Sequence, residues 1–304
     1  DSLGIILGGG LIGEDDHYLD NPYGRYTDHL EDFFSGGNYY TLYASVASRM
    51  ENTNFSISYE NSNQQGIIYQ VNGYKRQNFR FNVDHNFSDK FSVSLSNLYL
   101  QSETDNSNLD FFSLLHLTPD MDLYKNNANG DPYYLLVDQF GTTDNPLYPI
   151  SKTTNYSYRN RFMGAYSFKY SATSWLVLEG QYSFEKQDNK GDFYQPYGYL
   201  TRGSYPEGTL GNMSKNYGDN FSQASQFTAN INKQFGDFTT KFKLSYRYEN
   251  NEWSGFNTGS SDFKVRDVPD FGAIDQDKAY NGSYTGQTVA HNIFAIADVD
   301  YKAK

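Results

Sequence analysis

Long segments of this chain alternate, residue by residue, between apolar and polar side chains. Over such lengths the pattern is satisfied by a β-strand whose two faces meet different surroundings. In 74–87 the odd positions include Phe79, Phe81, Val83 and Phe87, and the even ones are Arg76, Asn78, Arg80, Asn82 and Asp84. In 153–170 the apolar face is Tyr156, Tyr158, Phe162, Tyr166, Phe168 and Tyr170, opposite Ser157, Arg159, Arg161 and Lys169. In 236–249 Phe238, Phe242, Leu244, Tyr246 and Tyr248 oppose Lys241, Lys243, Ser245 and Arg247. In 287–302 Val289, Ile293, Ala295, Val299 and Tyr301 oppose Thr288, Asn292, Asp298 and Asp300, with Phe294 and Ile296 as exceptions on the polar side. The periodicity predicts nine strands, at about 38–48, 53–61, 73–87, 90–103, 153–170, 173–188, 220–235, 237–249 and 287–302. Several exceed the roughly 5–6 residues usual in soluble sheets. They suit a tilted bilayer crossing, which takes roughly 9–11.

The connections alternate too. RMEN (49–52), SD (88–89), SA (171–172) and Gly236 are short turns, whereas 62–72, 104–152, 189–219 and 250–286 are long. Transmembrane barrels put short turns on one side of the membrane and long loops on the other. The long segments carry Gly, Pro, Asn, Asp and Ser, as in NNANGDP (126–132) and YPEGTLGN (205–212), and are also rich in Tyr and Phe. Aromatics near strand ends (Tyr74, Phe87, Phe91, Tyr156, Tyr170, Trp175, Phe184, Phe235, Phe238, Tyr248, Tyr301) fit an interfacial girdle.

Composition narrows the function. The 304 residues carry a net charge of −12, which argues against nucleic acid as partner. With 29 Tyr and 23 Phe the chain is too aromatic for disorder. Without cysteine, disulfides and thiolate sites are excluded. No apolar run is long enough for a transmembrane helix, a fact silent about barrels. None of the five histidines (His17, His29, His85, His116, His291) sits in a catalytic motif, and the adjacent Asp84 and His85 point to opposite faces of a strand. Catalysis is not expected, and no cofactor or structural metal. The segment DNSNLD (105–110) with Asp120, Asp122, Asp131 and Asp138 offers oxygen ligands for loop-bound calcium, although solvated acidic loops explain them more simply.

A single-chain bacterial barrel normally has an even strand number, and nine is odd. Residues 3–13 could supply part of a tenth strand. The opening DSLGIILGGGLIGEDD has no basic stretch of a signal peptide, so the chain is expected to be a fragment or a processed form. Further strands are expected beyond it, since an open sheet leaves unpaired edges in lipid.

Several segments resemble the SusC/RagA-like TonB-dependent outer-membrane transporters. TDHLEDFFSGG (27–37) is similar to the family's entry to the barrel. The stretch 39–100 is similar to its first strands at Phe55, Ser58, Tyr59, Gln65, Gly66, Ile67, Tyr74, Lys75, Arg76, Asn78, Arg80, Asn82, Asp84, Phe91 and Asn97. Segments 153–185 and 287–302 also look like later strands of the family; the long loops match nothing recognisable. The resemblance implies an all-β antiparallel transmembrane barrel, with about nine to ten of an expected 22 strands present and the plug and C-terminal half outside this chain. Residues 1–37 would be a plug-to-barrel junction or a first-strand and loop segment. Residues 38–304 would be a partial barrel with extracellular loops at 62–72, 104–152, 189–219 and 250–286. It further implies nutrient import (glycan fragments or peptides) through the outer membrane of a Gram-negative bacterium of Bacteroidota type. A SusD-like lipoprotein would be the partner, and the TonB complex would supply energy through the plug. A scaffold barrel of a larger envelope complex and a small surface-protease barrel are the alternatives.

Candidate sites follow from this frame. The polar faces carry Arg76, Arg80, Asp84, Arg159, Arg161, Glu179, Gln181, Lys241, Lys243, Arg247, Asp298 and Asp300, expected to line the lumen and hold a plug. The loop aromatics Tyr133, Tyr134, Tyr148, Tyr194, Tyr197, Tyr199, Tyr205 and Trp253 are candidates for stacking on substrate or a lipoprotein lid, with packing inside the loops as the competing role.

Overall fold

The computed structural model describes residues 27–302 except 35, 108, 120, 139 and 140. Nine strands form one antiparallel sheet in chain order. They are β1 (Tyr39–Arg49), β2 (Thr53–Gln64), β3 (Tyr74–Ser88), β4 (Phe91–Asp105), β7 (Thr154–Thr173), β8 (Leu176–Gln195), β9 (Asn212–Phe235), β10 (Phe238–Ser261) and β11 (Ala279–Tyr301). Between β4 and β7, the pair β5 (Leu135–Asp138) and β6 (Gly141–Asp144) makes a small separate hairpin. Short helices α1 (His29–Phe33), α2 (Phe111–Leu115) and α3 (Leu147–Lys152) lie in the connections. Every neighbour in the sheet is the next wall strand along the chain, and β1 and β11 are the edges.

All nine predicted wall strands are present, but four are longer than the sequence suggests. Segments 189–195 and 212–219 belong to β8 and β9, and 250–261 and 279–286 to β10 and β11. The predicted loops 189–219 and 250–286 therefore shrink to 196–211 and 262–278. The turn between β7 and β8 falls at 174–175 rather than at 171–172, where the register shifts instead. The hairpin β5–β6 was not anticipated. The candidate strand 3–13 lies outside the described residues.

The register separates two faces. Arg76, Arg80 and Asp84 of β3 stand opposite Ser62, Ser58 and Asn54 of β2. On β7 and β8, Arg161 and Lys169 share a face with Gln187 and Glu179. Lys241 and Lys243 on β10 face Asp298 and Ile296 on β11. A broad trough spans β3 to β11, lined mainly from this polar face by Arg80, Ser96, Met163, Glu185, Ser222, Glu249 and Thr288, so the polar face is the concave one. The convex face is aromatic and aliphatic. It runs from Tyr170 to Phe162 on β7 and turns polar at Asn160. On β8 it runs from Leu178 to Phe184 and becomes charged at Lys186 and Asp188; on β10 it runs from Phe238 to Tyr248 and becomes polar at Asn250 and Glu252. Such a band matches the roughly 9–11 residues of a tilted bilayer crossing. Away from the sheet's edges the band still exposes Phe227 at 59% and Leu244 at 44%, as a lipid-facing surface does.

At the short-turn end aromatics gather on the convex side. Phe87 stacks on Phe91 at 5.4 Å, Phe91 meets Tyr170 edge-on at 6.4 Å, and Phe238 lies 5.0 Å from Tyr301. The Lys233 ammonium sits over both Trp175 and Phe235. Tyr74 does not join the girdle: it pairs with Gln64 and Thr104 and shares the concave face with Arg76.

Among the described residues, packed interior exists only at the long-loop end. Leu114, Leu117, Met121, Leu123, Leu136, Leu147 and Ile150 from the connection between β4 and β7 close on Phe33 and Val71. Residues 27–34 therefore lie with the long loops, bridged from Phe34 to Ile68 and from the Thr27 amide to the Pro119 carbonyl at 2.7 Å. A smaller cluster of Met213, Phe263, Ala273 and Ile274 seats the connection before β11 against β9.

Candidate functional site

The concave face is built in two tiers. The lower tier, level with the apolar band and its upper border, carries charges paired within the wall. Arg76 Nη2 donates to Glu60 Oε1 at 2.6 Å, and Asn78 Nδ2 donates to the same oxygen at 3.0 Å. Arg161 is held by Glu185 through two parallel bonds of 2.7 Å, the geometry that a planar guanidinium and a carboxylate share. Arg247 donates to Glu249 at 2.5 Å, Asn230 donates to Glu179 at 3.1 Å, and Lys241 lies 3.8 Å from Asp300. Every lumen residue predicted from the sequence, including Arg80, Asp84, Lys243 and Asp298, falls on this face by register. Their carboxylate partners Glu60 and Glu185 were missed, although both occupy same-face positions that the two-residue period marks.

The upper tier is the concave face of the strand extensions on β8 to β11. At its lower margin Arg159 Nε of β7 donates to Asn189 at 3.3 Å, and Ser222 Oγ, just below the extension of β9, donates to Asn251 at 2.6 Å. Trp253 belongs here. The alternation leaves it in a loop, but it stands within β10, opposite Gly286 of β11.

The loop aromatics divide. Tyr134 and Tyr148 are buried, with rings 5.3 Å apart, and Tyr148 lies 5.1 Å from Tyr199. The Tyr148 hydroxyl accepts the Leu200 amide at 3.0 Å. Burial, with Asp144 nearby, pushes the Tyr134 hydroxyl up to about 12, and burial raises Tyr148 and Tyr199 as well. These rings join the connection between β4 and β7 to that between β8 and β9. They are packing residues rather than open platforms. Tyr194 lies within β8 rather than in a loop and meets Phe263 edge-on at 5.7 Å, and the Arg266 guanidinium covers Tyr197 at 4.6 Å. Tyr133 is half-buried and Tyr205 exposed.

The acidic loop residues are engaged locally. Asp110 caps α2 by accepting from Phe112 and Ser113, and the Ser113 hydroxyl holds its carboxyl below the usual range. Asp122 accepts from the Tyr124 amide, and Asp131 pairs with Lys152. Asp120 and the side chain of Asp138 lie outside the described residues. Among those described, no three His, Asp or Glu side chains converge as metal ligands. His85 and His291 are on the convex face, against Thr53 at 2.6 Å and Tyr246 at 2.8 Å. His29 bonds to the Thr118 carbonyl, and His17 is not among the described residues.

Comparison with known proteins agrees with this geometry. No family model matches the chain. A TonB-dependent receptor, P26, of Formosa agariphila is 22% identical over 151 residues, half of this chain but 15% of that protein. The RagAB peptide importer in its closed-closed state superposes with a TM-score of 0.77 at 13% identity, covering 98% of this chain and 35% of that one. The ferric citrate transporter FecA superposes at 0.55 with 10% identity, over 88% of this chain and 33% of that one. The chain thus spans about a third of the length of those two solved chains and 15% of that of the receptor. The resemblance to SusC/RagA-like TonB-dependent transporters is matched in fold: the nine-stranded sheet is an unclosed part of such a barrel.

Proposed function

We propose that this chain is part of the wall of an outer-membrane importer energised through TonB, which takes up glycan fragments or peptides beneath a SusD-like surface lipoprotein. The observation that carries the reading is the division of one continuous sheet into a convex apolar band and a concave ion-paired face. Hydrocarbon tolerates the first and excludes the second, so the concave side must enclose a polar filling. In barrels of this kind that filling is a plug. Paired arginines such as Arg76 and Arg161 then offer a neutralised, hydrogen-bonding surface for it, and the long-loop end faces the outside.

The role of the chain is to hold a pathway and a mouth; the work of transport comes from elsewhere. Substrate would be captured between loops and lipoprotein, and released inward when the plug moves. The test uses the complete protein in its own outer membrane. Cells with the intact protein should accumulate labelled oligosaccharides or peptides, and should lose this on deletion of either the protein or TonB. A tagged copy should bring down a surface lipoprotein. Uptake that persists without TonB would overturn the energised part of the reading.

A further inference from the structure

The upper concave tier of β10 and β11 holds a repeated arrangement that the plug and wall do not account for. In four successive same-face pairs, one partner is a glycine and the other a flat side chain. The pairs are Trp253 with Gly286, Tyr284 with Gly255, Asn257 with Gly282, and Tyr280 with Gly259. In each, a Cβ on the glycine would fall inside the facing ring or amide, so that group lies across the neighbouring strand and not upright. Gly255 and Gly259 are buried beneath their tyrosines, whereas Trp253, Tyr284 and Tyr280 remain 37%, 55% and 52% exposed. The rings therefore present their faces to the interior. At about 3.3 Å per residue the ladder is roughly 20 Å long.

Charge tells what such a surface would take. At this height the convex side of β8 alternates Lys186, Asp188, Lys190 and Asp192. The concave side of β8 to β11, from Gln187, Asn220, Asn251 and Thr288 up to the loops, carries no ionised side chain, and its polar groups are amides and hydroxyls such as Asn216, Asn220 and Asn257. Of the charges along its lower margin, Arg159 is turned onto Asn189, and Glu185 and Glu249 are held by Arg161 and Arg247. A peptide brings charged termini that would want counter-charges here. A neutral sugar brings C–H faces with positive edges, which suit the negative face of an aromatic ring, and hydroxyls that suit amides.

Resting on the import reading above, we propose that Trp253, Tyr284 and Tyr280 form a stacking ladder that binds a neutral oligosaccharide on the wall, above the membrane. The experiment takes the complete protein purified from outer membranes in detergent. It is screened against neutral glucan, galactan, mannan and xylan oligosaccharides, uronate-bearing oligosaccharides and a tryptic peptide mixture, followed by calorimetry. Neutral oligosaccharides should bind. W253A and Y284A should each weaken the Kd about tenfold, with Y284F restoring it, whereas F256A, exposed at the same height on the convex face, should stay within about twofold. Heat-modifiable migration on gels verifies that each variant keeps its barrel. The site is refuted if neutral sugars bind W253A and Y284A as well as wild type, if only acidic sugars or peptides bind, or if nothing binds. The two readings fail separately. TonB-dependent uptake of peptides would leave the importer standing and remove the ladder, whereas loss of TonB dependence would remove the importer itself.

Discussion

Single side chains at the long-loop end behave as a small protein core. Met121, Leu123 and Leu147 are almost completely enclosed, so Leu123→Ala is expected to cost about 2–5 kcal/mol of local stability. The check is faster proteolysis within 106–153, with the barrel itself still intact. Tyr134 ties this core to pH. Its hydroxyl titrates near 12 in the fold against 10.0 ordinarily, because burial disfavours the phenolate. The stabilisation is therefore complete below pH 10 and lost as pH rises toward 12, and Tyr124, raised to about 12 by burial, acts in the same sense. Protease sensitivity of the connection should rise over that window, and less steeply in Y134F. At this scale the sequence was only partly legible. Composition marked the loop tyrosines as important, but it does not distinguish a ring packed against Tyr148 from one open to a ligand. Tyr280 and Tyr284 escaped notice because they sit among Gly and Asn, where no apolar alternation flags a strand.

Strands record the membrane more faithfully than loops do. Where one face meets hydrocarbon, the contrast between Phe or Tyr and Lys or Arg is strong, and all nine wall strands were readable. Above that level both faces meet polar surroundings, the contrast vanishes, and the upper ends of β8 to β11 read as loop. Two predictions follow at this scale. Leu244 points to lipid and Lys243 to the interior, so L244R should cost about 2–4 kcal/mol in urea titrations of the barrel in vesicles, whereas K243L should cost far less. Gly236 begins the turn between β9 and β10 at φ 60°, a conformation that a Cβ disfavours. G236A is expected to destabilise the hairpin by about 1 kcal/mol, seen as a lower urea midpoint.

The sheet formed by the described residues is open along β1 and β11, whose outward-facing residues are heavily exposed. Residues 27–302 expressed alone should fail to give a heat-modifiable band in vesicles, because two strand edges would need partners in lipid; the complete protein should give one. Strands β1 to β4 have 11 to 15 residues, whereas β8 to β11 have 20 to 24. The rim is therefore uneven: a tall hydrogen-bonded palisade on one flank, and on the other a low wall roofed by connections packed on α1. Prying the palisade apart means breaking a ladder in register up to Ser260 and Ala279, whereas lifting the roof only parts side chains. Whatever swings at this doorway should swing on its low flank, with the high flank as a fixed jamb, and amide exchange should be fastest across 106–153 and slowest along β9 and β10.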